Sequence, residues 1–211
     1  MKQYLLFTSL LIFTMSIASA QEKEVEFGLK AGLNYSNFID NYDDDTPANY
    51  KGKAGFLAGG FVNFGLTEKI FIRPEVLFSQ QGSKYEINPD GINVHDPSDP
   101  FYLADDISGK IKESLILIPV MAGIFLMDNL DVEVGPQLAW VVNRDVTYKN
   151  NPYEIFFIRN DDSGDFEFGV NAGLGYHFGA HYRIGLRYTY GITERQNLHS
   201  SVFQLGLHYK L

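Results

Sequence analysis

"HYRIGLRYTYGI" spans His181 to Ile192 and alternates without a break. Tyr182, Ile184, Leu186, Tyr188, Tyr190 and Ile192 fall on one face. Arg183, Gly185, Arg187, Thr189 and Gly191 fall on the other. A period of two means a strand with two unlike faces. In water the Tyr/Ile/Leu face would be core and the arginines wet. In lipid that order inverts. The rest of the chain decides which solvent applies.

Seven further segments read as strands: Glu24–Phe38, Lys53–Leu66, Lys69–Tyr85, Lys110–Leu126, Leu130–Tyr148, Gly164–Phe178 and Ser200–Leu211. Their connections alternate in length. "TEK", "MDN" and "GAH" are tight turns, whereas Ile39–Gly52, Glu86–Gly109 and Lys149–Ser163 are long, acidic and turn-rich. The connection near Glu194–His199 is intermediate. Long structureless loops are out of place in a compact soluble domain. Short turns at one end and long loops at the other are the rhythm of an up-and-down membrane barrel.

The two faces carry the argument further. One face reads Glu26, Gly28, Lys30, Gly32, Asn34 in the first strand, and Leu57, Phe61 and Asn63 among glycines in the second. It continues as Arg73, Glu75, Leu77, Ser79, Gln81, then Asp131, Glu133, Gly135, Gln137, and in the last strand Gln204, Gly206, His208, Lys210. In the sixth strand it gives Glu167, Gly169, Asn171, Gly173, Gly175 and His177. Glycine inside a strand costs ~0.5–1 kcal/mol relative to alanine. A wet surface gains nothing from so many. A narrow lumen does, because small residues leave room for long charged neighbours. The opposite face is nearly free of charge and places aromatics toward strand ends, as interfacial girdles require. The fourth strand, "SLILIPVMAG", is apolar on both faces; Ile116, Ile118, Val120 and Ala122 are taken as outward.

These patterns predict an all-β chain: an eight-stranded, antiparallel, up-and-down transmembrane β-barrel of the smallest size class. Its bore is just wide enough for side chains to fill. Glu26, Lys30, Arg73, Glu75, Glu133, Glu167, Arg183, Arg187 and Lys210 are expected to form a structural charge network in that lumen. A secreted soluble ligand carrier with the apolar face inside is the competing reading.

The N-terminus has the three parts of a secretory signal: Lys2, an apolar run from Tyr4 to Ile17, and Ala18-Ser19-Ala20. Residues 1–20 are read as a cleaved leader and 21–211 as the barrel domain. The apolar run is too short for a bilayer-spanning helix. The chain has no cysteine, so no disulfide framework holds it. Its formal net charge is −9, one unit more negative once Lys2 leaves with the leader. Such a balance argues against nucleic acid or anionic lipid head groups as partners of its surface. An even strand number puts both termini on the periplasmic side.

"FGLKAGLNYSNF" (Phe27–Phe38), "IRPEVLFSQQGSK" (Ile72–Lys84), "LILIPVMAG" (Leu115–Gly123) and "GVNAGLGYHF" (Gly169–Phe178) resemble the PorT-like outer-membrane β-barrel family of Bacteroidota. Gly28, Lys30, Gly32, Asn34 and Ser36 match its first-strand pattern; Pro74, Glu75, Ser79, Gln80 and Gly82 match its third. Gln81 and Leu117 stand where the family often has Lys and Glu. The resemblance implies an eight-stranded barrel in the outer membrane. It implies little about role, since fold does not fix function.

No segment carries an enzyme's constellation. His95, Asp96, Ser98 and Asp99 are near neighbours on one long loop, without the rigid shell that catalysis needs. Asp43, Asp44, Asp45, Asp161 and Asp162 could offer oxygens to Ca²⁺ but fit no calcium-loop pattern. His177 and His208 read as lumen fillers. No catalytic, cofactor or metal site is therefore assigned. The expected role is structural or interactive, with the acidic outer loops as contact surface. "NPYEIFFIRN" and "DPFYLADD" are the aromatic-bearing candidates for contact with an extracellular or membrane protein. A narrow solute channel, or a part in secretion across the outer membrane, are the alternatives.

Overall fold

The computed structural model describes residues 25–40, 48–87, 107–149, 165–194 and 198–211. They form eight strands: β1 (Val25–Asp40), β2 (Ala48–Gly65), β3 (Ile70–Ile87), β4 (Ile107–Met127), β5 (Leu130–Lys149), β6 (Phe166–Phe178), β7 (Tyr182–Gly191) and β8 (Leu198–Lys210). Each strand pairs antiparallel with its neighbour in sequence, and β1 pairs with β8 from Gly28↔Lys210 to Asp40↔Leu198. The sheet is thus a closed barrel with no free lateral edge along its pairing band.

Most strands run longer than their sequence patterns suggested, while β6 and β7 are each two residues shorter. β2 begins at Ala48 rather than Lys53, β3 reaches Ile87, β4 begins at Ile107, and β8 begins at Leu198. Alternation fades there because those ends stand beyond the apolar band, where the outer face carries polar residues such as Lys51 and Glu86. The proposed leader, the acidic runs at 43–45 and 161–162, the cluster at 95–99 and both aromatic loop pieces lie outside the described residues.

Burial gives the barrel its orientation. Along β7 the outward residues Tyr182, Ile184 and Leu186 are exposed, while Arg183, Gly185 and Arg187 are buried. The same inversion holds around the ring. Leu33 is 65% exposed and Trp140 63%, whereas Glu75 is 1% and Asp131 0%. An apolar surface this large is not viable in water. The soluble-carrier reading fails here, because the charged face is the inside. In β4, Ile118, Val120 and Ala122 are exposed and Leu115, Leu117 and Met121 are buried, which fixes the register of the ambiguous strand.

Two aromatic belts edge the outer band. One holds Phe27, Tyr176, Phe178, Tyr182 and Tyr209 near the short turns, with Phe178 stacked on Tyr182 at 5.5 Å. The other holds Tyr35, Phe56, Phe78, Trp140, Phe166 and Phe203 toward the long connections, where Tyr188 meets Phe203 at 4.7 Å. Aromatic belts at two depths mark the interfaces of a bilayer.

The short turns have local causes. Thr67 Oγ1 accepts from the Lys69 and Ile70 amides, at 3.2 and 3.0 Å, closing β2–β3. Gly179 adopts φ +64 in the β6–β7 turn, where a side chain at left-handed φ would be strained. At the other end two register shifts bend the wall: one in β2 between Gly52 and Leu57, and one at Ser114/Leu115 where β5 gains Val142. The second lets both Val141 and Arg144 face inward, three residues apart.

Candidate functional site

The lumen is the most heavily built part of the molecule, and it is layered. Near the short turns, Lys210 pairs with Glu26, which also accepts from Asn63 Nδ2 at 3.1 Å. At mid-height lies the main cluster. Arg187 is its hub. Its Nη1 and Nη2 donate to the two oxygens of Glu75, at 2.8 and 2.7 Å, and its Nε and Nη2 donate to Glu133 Oε1, at 3.0 and 2.7 Å. Lys30 Nζ donates to Glu75 Oε2 at 2.9 Å. Arg73 Nη1 donates to Glu133 Oε2 at 3.0 Å. Arg183 grips Asp131 with Nε and Nη2, at 2.8 and 2.7 Å, and lies 3.1 Å from Glu133. Every member of this cluster is at most 5% exposed.

Backbone geometry permits the crowding. Asp131 in β5 sits opposite Gly175, and Gly175 sits opposite Gly185. A Cβ on Gly175 would fall 2.1 Å from Arg183 Nε, so the guanidinium occupies the space a side chain would take. The lumen glycines are thus hollows for the arginines rather than flexible points.

Beyond the charged layer comes a polar one. Asn34 donates to Ser79 Oγ at 3.1 Å, Gln81 to Ser79 at 3.0 Å, and Thr189 to Asn171 at 2.5 Å. One side of the bore is apolar, formed by Leu57, Leu77, Leu115, Leu117, Ala139 and Val141. Nearer the long connections, Arg144 Nε donates to Glu113 at 2.8 Å and Ser200 Oγ donates to Glu167 at 2.7 Å.

Of the nine lumen residues singled out in the sequence, Lys30, Arg73, Glu75, Glu133, Arg183 and Arg187 come together in one cluster. Glu26 and Lys210 form a separate pair at the short-turn mouth. Glu167 stands apart, beside Ser200. Sequence reasoning placed Asp131 on the inward face but did not count it among the pairing carboxylates. The glycines opposite leave the space in which Arg183 reaches it. His177 also reaches Asp131, at 2.8 Å, and the His208 ring lies on Phe61 at 5.4 Å. Both histidines fill space beside charges. Among the described residues no group of three or more His, Cys, Asp or Glu is arranged to hold a metal.

A closed eight-stranded wall, lipid-facing outside and filled with ion pairs inside, defines a small outer membrane β-barrel protein. Residues 19–195 match the outer membrane protein beta-barrel domain family, and the chain belongs to that family. Solved structures with this fold include OprG of Pseudomonas aeruginosa, at 10% identity and TM-score 0.53, covering 90% of this chain and 97% of that one. Neisserial surface protein A aligns at 12% identity and TM-score 0.49, over 89% of this chain and 99% of that one. Ail, the attachment invasion locus protein of Yersinia pestis, aligns at 13% identity and TM-score 0.46 over the same shares. No curated protein matches the sequence.

Proposed function

We propose that this barrel acts by contact, presenting a raised sheet and its outer loops to an extracellular or membrane-protein partner. One observation carries the reading: the wall is uneven in height. β2 to β5 hold 18 to 21 residues, whereas β6 to β8 hold 10 to 13. At about 3.3 Å per residue and a tilt near 40°, ten residues already cross the ~25 Å apolar band. The surplus of β2–β5 therefore stands about 20–28 Å clear of the membrane on one side.

The composition of the surplus agrees. On the outward face of β3 the apolar run ends at Phe78, and Lys84 and Glu86 follow exposed. In β4 it ends at Ile116, with Lys110 exposed beyond; in β5 Asp145 and Lys149 follow Val142. Lys51 and Glu86 pair across this surface at 2.5 Å. A lifted surface carrying both charge signs suits recognition more than anchoring. The long connections, 41–47, 88–106 and 150–164, leave from this end and would extend the contact area with acidic residues.

In this reading residues 1–20 are a cleaved leader, both termini are periplasmic, and the chain is not an enzyme. The four quoted motifs support a PorT-like place within the family, from a member of the Bacteroidota. A part in secretion rests on that likeness alone. The filled bore speaks against a solute channel.

The sequence has no cysteine, so single substitutions report cleanly. Photocrosslinkers attached at Lys84→Cys, Lys110→Cys and Asp145→Cys on intact cells should give a shared adduct with one partner. Asn129→Cys, in a short turn, should give none. Adducts from Asn129→Cys alone would reverse the orientation, and no adduct from any outer position would remove the contact role.

A further inference from the structure

We propose that the short-turn mouth of the barrel is a binding site for a phosphate-type oxyanion, held chiefly by Arg73. The mid-height cluster is unbalanced. Among the described residues it contains four cations, Lys30, Arg73, Arg183 and Arg187, against three carboxylates, Glu75, Asp131 and Glu133. A buried charge without a counter-charge is costly.

Arg73 is the least satisfied of the four cations. Take Arg73 away and every carboxylate keeps a partner. Glu75 retains Lys30 and Arg187, Asp131 retains Arg183, and Glu133 retains Arg187 and Arg183. Lys30 and Arg187 pass the same test, but of the four cations Arg73 is the one with a buried nitrogen left unpartnered. Arg73 makes a single ion-pair bond, to Glu133, and its buried Nε has no partner. Phe61 and Phe71 flank the guanidinium, with ring centroids 5.5 and 4.5 Å from its carbon, and hold it in place.

Arg73 also lines a cavity of about 250 Å³ at the short-turn mouth, with Arg183, Lys210, His177, His208 and Asn63. At roughly 30 Å³ per water in the liquid, this holds an oxyanion with part of its hydration shell. Two carboxylates also border it. Glu26 is neutralised by Lys210, and Asp128 sits exposed on the β4–β5 turn at the rim. The inner wall is therefore cationic. A fork-shaped guanidinium suits a tetrahedral or planar oxyanion better than a halide.

The chemistry is shared by free phosphate and by a lipid phosphate reaching in from the inner leaflet, and the test separates them. The refolded full barrel in zwitterionic detergent is titrated with inorganic phosphate against chloride at equal ionic strength. Phosphate filling the site tenfold above its Kd should raise the melting temperature by roughly 3–6 °C, saturably. Arg73→Gln should lose that response. Ala180→Asp, on the exposed turn lining the cavity, should weaken apparent phosphate affinity several-fold while leaving the cluster intact, and serves if Arg73→Gln does not refold. A response only in phosphatidylglycerol nanodiscs, lost in the same variants, would keep the site and assign it to a lipid headgroup. No response from either source, or an equal response in wild type and both variants, would overturn the proposal.

Discussion

Arg187 and Tyr188 are neighbours in sequence and live in different solvents. The Arg187 guanidinium makes four hydrogen bonds to two carboxylates, while Tyr188 rests against Phe203 on the lipid side and reaches Ser201 at 3.1 Å. Removing one member of a buried pair strands the other and costs about 3–5 kcal/mol. Arg187→Leu should therefore lower the temperature at which the barrel loses its folded gel mobility far more than Tyr188→Leu, whose cost should stay near or below ~1 kcal/mol. Gly175 offers a second test. Adding a methyl group there drives Arg183 off Asp131, so Gly175→Ala should destabilise in the same assay. Ala172, three residues away on the lipid face, should lose only the ~0.5–1 kcal/mol that glycine costs inside a strand when changed to Gly. Equal losses at 175 and 172 would mean the glycine is not making room for the arginine.

At the scale of the strand, the extra residue in β5 does specific work. Val142 takes up the break in alternation, with Arg144 turned inward to Glu113 and Asn143 facing out. Deleting Val142 should restore simple alternation with Val141 and Arg144 both still inward, whereas Arg144→Ala should leave Glu113 without that partner. Arg144→Ala should therefore speed proteolysis of the β4–β5 outer ends and the deletion should not, with the membrane-embedded fragment unchanged on a gel in both. This shift was not legible in the sequence, because "AWVVNRD" continues a plausible alternation through the bulge. The inward face below it was legible, since Asp131, Glu133, Gly135 and Gln137 keep strict parity. The same contrast explains the short strand bounds. Period two reports a strand only while its two sides meet unlike solvents. Residues 48–52 and 107–109 lost that signal on leaving the membrane. Pairing partners inside the lumen were hidden for another reason: parity gives the face, but the depth at which an arginine meets a carboxylate depends on stagger between strands.

For the molecule as a whole, charged, polar and apolar side chains crowd the mid-height lumen, each cluster member at most 5% exposed. Reconstituted in a planar bilayer, the barrel should show no steady unitary conductance. Shortening two cluster side chains together, Arg73→Ala with Arg187→Ala, should be needed before any leak appears. Regular ion steps from the unmodified chain would restore the channel reading. The lipid-facing band, by contrast, was readable from composition and alternation alone, because each strand repeats the same inversion.

Closure has a consequence in time. The pair Lys210–Glu26 joins groups 184 residues apart, and β1 meets β8 along the whole seam. Contacts between such distant parts of a chain form late and slowly. Until the final strand arrives, one flank of β1, with Lys30 and Asn34, has no neighbour to pair with. The ring cannot be finished piece by piece as the polypeptide emerges. Strand β8 acts as a latch, and a chain that lacks it would be left as an open, sticky ribbon for chaperones and proteases to clear.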